Sequence, residues 1–195
     1  PEMMDFFVRC FGPYPFRWYT VVITEDELEI PLEAQGLSVF GSNLLTDDWE
    51  SERLVAHELA PQWFGNSLTL AAWRDIWLHE GFACYCEWLW SEESGGISAS
   101  ERASEHWKPL AENPDSFTLA DPGRDNMFDD WVYKRGALLL HALRLTIGDA
   151  AFFTLTLPGR GSSDLDEQAR NLWLERLIGS EQAQTPEEAR VWLAD

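Results

Sequence analysis

The sequence predicts an α+β fold, with a small N-terminal β-sheet followed by a mainly helical part. Three observations carry this. Residues 18–24, WYTVVIT, are a β-branched and aromatic run of the kind that fits a half-buried strand. From about Asp47 the apolar residues recur at helical rather than strand spacing. The chain of 195 residues, 45% of them apolar, is long enough for one domain with a sizeable core.

Taken in order, residues 1–46 read as a helix end followed by strands. Phe11-Gly12-Pro13-Tyr14-Pro15-Phe16 is a turn-rich entry, Trp18–Thr24 the first strand and Gly36–Leu45 the second. A helix is expected from about Asp48 to Phe64, with Gly65 as a natural stop. A second runs through Glu80 to about Glu93 and ends at Ser94-Gly95-Gly96. Residues 98–112 form a third helix. Residues 113–130, with Pro114 and Asp121-Pro122-Gly123, lead as a loop to a fourth helix that carries Tyr133 and ends near Gly148. Thr185-Pro186-Glu187-Glu188 starts a last helix, with Thr as cap and Pro in the first turn. The whole reads as one domain, 1–195, divided into a strand part (1–46), a helical part (47–155) and a tail (156–195) without an assigned role.

The formal net charge is −20 and the pI about 4.4. Nucleic-acid binding needs a basic footprint, and none is present. No apolar run is long enough to span a bilayer, so no membrane partner is expected. The three cysteines, Cys10, Cys84 and Cys86, are an odd number, and the last two point apart on one helix. That disfavours a disulfide scaffold and favours a reducing, cytoplasmic setting.

The chemistry concentrates in residues 54–90. His57-Glu58 begins an H-E-x-x-H pattern, in which two histidines one helical turn apart share a metal ion and the glutamate takes a proton from metal-bound water. Glu80, on the next helix, stands where a third ligand belongs. The second histidine is replaced by Pro61. Catalytic zinc usually has three protein ligands and an open position, so the pattern is one ligand short. Proline also has no N–H for the carbonyl four residues back, which is that of His57. Cys84, one turn beyond Glu80 on the same face, is the best substitute ligand, although a buried structural cysteine is the more ordinary role. His79 points away from Glu80, and His106 and His141 lie outside any ligand spacing. The tryptophans of the region (Trp63, Trp73, Trp77, Trp88, Trp90) are expected in the core or along a cleft wall.

The surrounding residues resemble the M1 family of zinc aminopeptidases, the gluzincins. The runs Val55-Ala56-His57-Glu58-Leu59-Ala60-Pro61-Gln62-Trp63-Phe64-Gly65-Asn66 and Trp73-Arg74-Asp75-Ile76-Trp77-Leu78-His79-Glu80-Gly81-Phe82-Ala83 carry the likeness. Tyr133-Lys134-Arg135-Gly136-Ala137 is similar to the family's tyrosine element. Glu33, followed by Gly36-Leu37, keeps part of the element that binds a substrate's amino end. The resemblance covers about residues 6–155 and implies a thermolysin-like catalytic lobe. It implies one zinc ion with His57 and Glu80 as ligands, Glu58 as general base, Tyr133 as oxyanion donor, and Glu33 as partner of the α-ammonium of peptides with a free amino end. The expected function is removal of N-terminal residues, impaired by Pro61. The alternatives are a non-catalytic module that binds peptide amino ends, and the lipid-epoxide hydrolysis of one family branch. The oligomeric state is not readable from the sequence; a lone catalytic lobe would expose surface, which makes self-association a hypothesis.

Overall fold

In the computed structural model, residues 1–112 and 118–156 are described. Helix α1 (Glu2–Phe11) is amphipathic: Phe6, Phe7, Cys10 and Phe11 are buried, and Gly12, at φ 86°, turns the chain out of it. A three-stranded sheet follows, in the order β1 (Thr20–Thr24), β3 (Leu37–Gly41), β2 (Leu32–Ala34). β1 runs parallel to β3 and β2 antiparallel to it. Ser38 and Phe40 of β3 are buried, so alternate residues of the central strand face the helices. Gly36, at φ 72°, makes the β2–β3 turn, and a Cβ there would lie 3.1 Å from the Trp18 carbonyl oxygen.

The helical part contains α2 (Trp49–Leu59), α3 (Trp77–Glu93), α4 (Ala99–Glu112), α5 (Asp130–Ile147) and α6 (Asp149–Leu155). Asp48 caps α2 by accepting a hydrogen bond from the Ser51 backbone N–H at 3.0 Å, and Asp129 caps α5 through Trp131 N–H at 2.9 Å. α3 is the central helix, buried without a break from Gly81 to Ser91. It crosses α5 where two glycines meet. A Cβ on Gly81 would lie 2.9 Å from Gly136 Cα, and one on Gly136 would lie 2.8 Å from Gly81 Cα. The backbones touch because neither residue has a side chain.

The structure corrects several expectations. The helix expected over 48–64 ends as an α-helix at Leu59 and tightens into a 3-10 turn, Ala60–Gln62, with Pro61 in its first positions. Pro61 has no N–H to continue the ladder, and a tighter turn accommodates that loss. The second strand stops at Gly41, where Ser42–Leu44 turns into a 3-10 segment. Residues 1–46 are less strand-rich than expected, because they open with a ten-residue helix. β2 and α6 were not anticipated. The helix start at Thr185 lies outside the described residues, as do residues 113–117 of the expected loop; within the rest of that loop Thr118 bridges Asp121.

Candidate active site

Helices α2, α3 and α5 each bring one face to a common point. α2 contributes Arg53, His57 and Glu58, with Arg53 and His57 one turn apart on one face. α3 contributes Glu80, Cys84 and Glu87, again on one face. α5 contributes Tyr133 and Lys134. The glycine contact explains the approach: Gly81 follows Glu80 directly, and Gly136 lies one turn after Tyr133, so the closest point of the α3–α5 crossing is beside the site.

His57 is the hub. Its Nδ1 donates to Glu87 Oε1 at 2.7 Å, and its Nε2 lies 3.5 Å from Glu80 Oε2. Its ring stacks on Tyr133 at 5.7 Å between centroids. Burial alone would push the imidazole pKa down. The two carboxylates outweigh burial and hold it up at about 10. Glu87 is correspondingly held below the usual carboxylate range: burial opposes this, and the bond to His57, Lys134 and Arg53 prevail. Arg53 Nη1 stands 3.5 Å from Glu87 Oε2.

Glu58 is 6% exposed. Burial, reinforced by the negative charges of Glu33, Glu80 and Glu87 and opposed by His57, raises its pKa to about 7. Burial, together with the negative charge of Glu80, pushes the pKa of the Tyr133 hydroxyl up, so it is a firm proton donor. Cys84 is fully buried; burial pushes its thiol up, and its Sγ accepts a hydrogen bond from Lys134 Nζ at 3.5 Å.

Glu33 approaches from the sheet. Its Oε2 accepts from Asn66 Nδ2 at 2.6 Å while the residue stays exposed. The fully buried Gln62 fastens the same turn, with Oε1 accepting from Gly36 N–H at 2.7 Å and Nε2 donating to the Ala34 carbonyl at 2.9 Å. The residues after Pro61 thus hold the β2–β3 turn. Ser38 Oγ donates to the Glu58 carbonyl at 3.2 Å, tying β3 to α2.

Of the five residues expected at the site, His57, Glu80, Glu58 and Tyr133 gather around one point, and Glu33 stands on the edge strand β2, held by Asn66. Pro61 is buried one turn beyond His57. Cys84 is engaged by Lys134, and among the described residues no group of three His, Cys, Asp or Glu side chains is placed to hold a metal ion. His141 is a core residue, bonded to Tyr85 and Ser100. His79 buries an unpartnered Nε2. Trp63, Trp77, Trp88 and Trp90 are buried as expected, whereas Trp73 is 68% exposed. Glu87, Arg53 and Lys134 were not anticipated. Their signal was present as helical spacing: Glu87 lies two turns after Glu80, and Arg53 one turn before His57.

Three comparisons bear on what this constellation is. The Peptidase family M1 domain matches residues 1–156. The chain is 32% identical over 164 residues to aminopeptidase N of Canis lupus familiaris, and 31% identical over 173 residues to human endoplasmic reticulum aminopeptidase 1. These alignments cover 72% and 77% of this chain, but 17% and 18% of the relatives, so the chain spans less than a fifth of their length. Among solved structures, an M1 zinc metallopeptidase from Deinococcus radiodurans matches 98% of this chain and 42% of its own, at 36% identity and a TM-score of 0.74. Native yeast leukotriene A4 hydrolase shares the fold, with a TM-score of 0.69 at 19% identity, over 100% of this chain and 33% of its own. On the match of its first 156 residues and the identity to these relatives, the chain belongs to peptidase family M1.

Proposed function

We propose that this chain is the catalytic lobe of an aminopeptidase that acts on peptides with a free amino end, and that Pro61 impairs its metal-dependent turnover. The observation that carries the reading is the convergence of Glu58, Glu80, Tyr133 and His57 around one point, with a buried proline in place of one further ligand.

Each group suits a role. Glu33 keeps an exposed carboxylate anchored by Asn66, fit to pair with a substrate α-ammonium. Glu58, with a pKa near neutrality, is tuned for general-base work. Tyr133 offers a protonated hydroxyl to a developing oxyanion. The Deinococcus radiodurans neighbour is a zinc metallopeptidase, and catalytic zinc usually takes three protein ligands. This chain offers His57 and Glu80, and the third ligand is missing. The residues present therefore do not fit a resident catalytic zinc, and no step of a reaction is assigned through one. A second reading, a non-catalytic module for peptide amino ends, is favoured by the way Glu80 and Glu87 already occupy both nitrogens of His57.

The test is zinc per chain and aminoacyl-amide hydrolysis, before and after Pro61→His. The expected result is little zinc and little turnover in the original chain, and stoichiometric zinc with clear turnover in the variant. Stoichiometric zinc and turnover in the original chain would sink the impairment. A zinc-loaded Pro61→His protein that hydrolyses no aminoacyl amide would sink the aminopeptidase reading.

A further inference from the structure

Residues 61–66 form a turn that is anchored in the core. Pro61, Gln62, Trp63 and Phe64 are buried. Trp63 Nε1 donates to the Gly12 carbonyl at 3.2 Å, which ties the turn to the end of α1. Phe64 stacks on Phe82 of α3 at 4.0 Å between centroids. The Asn66 backbone N–H closes the turn on the Pro61 carbonyl at 2.7 Å, which leaves the Asn66 side chain for a separate partner.

That partner is Glu33, whose Oε2 accepts from Asn66 Nδ2 at 2.6 Å. A carboxylate only accepts, so the amide must present its NH₂ group to it. The donor is neutral, and it orients the carboxylate without cancelling its charge. A lysine or arginine at position 66 would form an ion pair instead and compete with a substrate ammonium. The bond engages one oxygen and leaves Oε1 to a second donor. The backbone of Glu33 is fixed by other contacts. Glu33 pairs with Ser38 of β3, whose Oγ donates to the Glu58 carbonyl, and Gln62 bonds to Ala34 and Gly36 just after it. Backbone position and side-chain direction are thus set separately, and Asn66 sets the direction.

We propose that Asn66 is a positioning residue for amino-end recognition: it holds Glu33 by Oε2 so that Oε1 meets the α-ammonium of a peptide, and selectivity for a free over a blocked amino end depends on that bond. The proposal rests on the reading of Glu33 as ammonium partner given above. A carboxylate oriented before the ligand arrives has no rotamer freedom left to lose on binding, so the ordering cost falls on folding instead. Pairing of Glu33 with an ammonium needs no metal, so the effect can be read on the chain as it stands, with Pro61 in place.

The experiment is an NMR chemical-shift titration of the whole chain with L-leucinamide and with N-acetyl-L-leucinamide. It is run at about pH 6, below the α-amino pKa of roughly 7.7–8.0, so that the free amino group is charged. The proteins are the parent, Glu33→Gln, Asn66→Ala and Asn66→Gln. The expected result is a parent that prefers L-leucinamide and a Glu33→Gln variant that has lost the preference. Asn66→Ala weakens L-leucinamide binding by about tenfold and leaves the acetylated ligand unchanged. Asn66→Gln, which keeps an amide donor on a longer stem, recovers part of the loss. The backbone bond to Pro61 survives every substitution at position 66, so thermal melts of these variants match the parent. A parent without preference, or a preference untouched by Glu33→Gln, overturns the ammonium reading of Glu33 and this proposal with it. A preference that Glu33→Gln removes and Asn66→Ala leaves intact overturns this proposal alone. So does an Asn66→Ala loss that Asn66→Gln recovers in no part, because position 66 would then act through packing.

Discussion

The α3–α5 crossing and the last turn of α2 serve the same site, and they differ in what they keep. At the crossing, Gly81 and Gly136 still let two backbones touch, so Glu80 and Tyr133 stand together. At the end of α2, Pro61 stands where the proposed metal site would need its second histidine, yet the chain around it is orderly. Pro61 is buried in a 3-10 turn, its carbonyl accepts from Asn66 N–H at 2.7 Å, and Gln62 and Asn66 still hold the turn that carries Glu33. On the proposed reading, the difference teaches that the scaffold of this lobe and its ligand set are separable. One ligand position can change while the packing around it persists.

The strongest way to break that comparison is to damage the crossing instead of the ligand. Gly136→Leu would drive a branched side chain into Gly81 Cα and the Trp77 carbonyl, which a Cβ alone would meet at 2.8 and 3.1 Å. Backbone on both sides leaves no room for a rotamer to relieve this. Overpacking typically costs about 1–3 kcal/mol and occasionally more, and this contact lies at the severe end. We expect loss of the cooperative thermal transition. A variant that melted like the parent would mean that the helices slide apart cheaply, and that the crossing does not set the site's geometry.

The next prediction moves to the chemistry and uses Pro61→His as background. Tyr133→Phe removes the hydroxyl that feels the Glu80 charge and leaves the ring stacked on His57. Loss of one oxyanion donor typically lowers kcat by about 10²–10³. We expect a drop of that order with zinc content unchanged. Equal turnover in the two proteins would remove Tyr133 from the reaction.

How much of this was legible beforehand depended on how local each signal was. The first strand, the Glu80 helix and the Tyr133 helix were readable because their patterns run uninterrupted for several turns or alternations. β2 has three residues, too few for a period to show. α6 starts directly after Gly148, where the chain signals a stop rather than a start. Gly65 is the visible stop signal after α2, but the missing N–H of Pro61 acts first and ends the α-helix at Leu59. Of the site, the groups within named motifs could be found by spacing. Glu87 could not be found so easily: it sits in the run Tyr85-Cys86-Glu87-Trp88-Leu89-Trp90, which reads as core, and its partner His57 lies thirty residues away.

Glu87 therefore gives a sharper test at smaller magnitude. A carboxylate on the far nitrogen of a metal-binding histidine orients the ring, and removing such a partner typically costs about 10–100-fold in metal affinity or activity. In the Pro61→His background, Glu87→Gln should weaken zinc binding within that range, read by competition with a chelator. Unchanged affinity would mean that α2 alone orients His57. The ion pair with α3 would then be a packing feature without influence on the site.

The smallest effect is expected at the other end of α2. Asp48 caps that helix through Ser51 N–H. The hydrogen bonds from the Ser51 backbone and the Thr46 hydroxyl hold its pKa below the usual 3.8. A carboxylate depressed in the folded state contributes stability above its unfolded pKa, and the contribution is lost as pH falls through the folded value. Asp48→Ala should lower Tm by on the order of 2–4 °C at neutral pH. The gap to the parent should close as pH falls below 3.8 toward complete protonation. A gap that stayed constant through that range would show that the loss comes from packing rather than from the cap's charge. Because His57 is gripped from α3 by Glu87 and faced by Glu80, fraying the first turn of α2 should leave zinc affinity in the Pro61→His background unchanged. A fall in that affinity would mean that position 57 depends on the integrity of its own helix, and that the two ends of α2 are coupled.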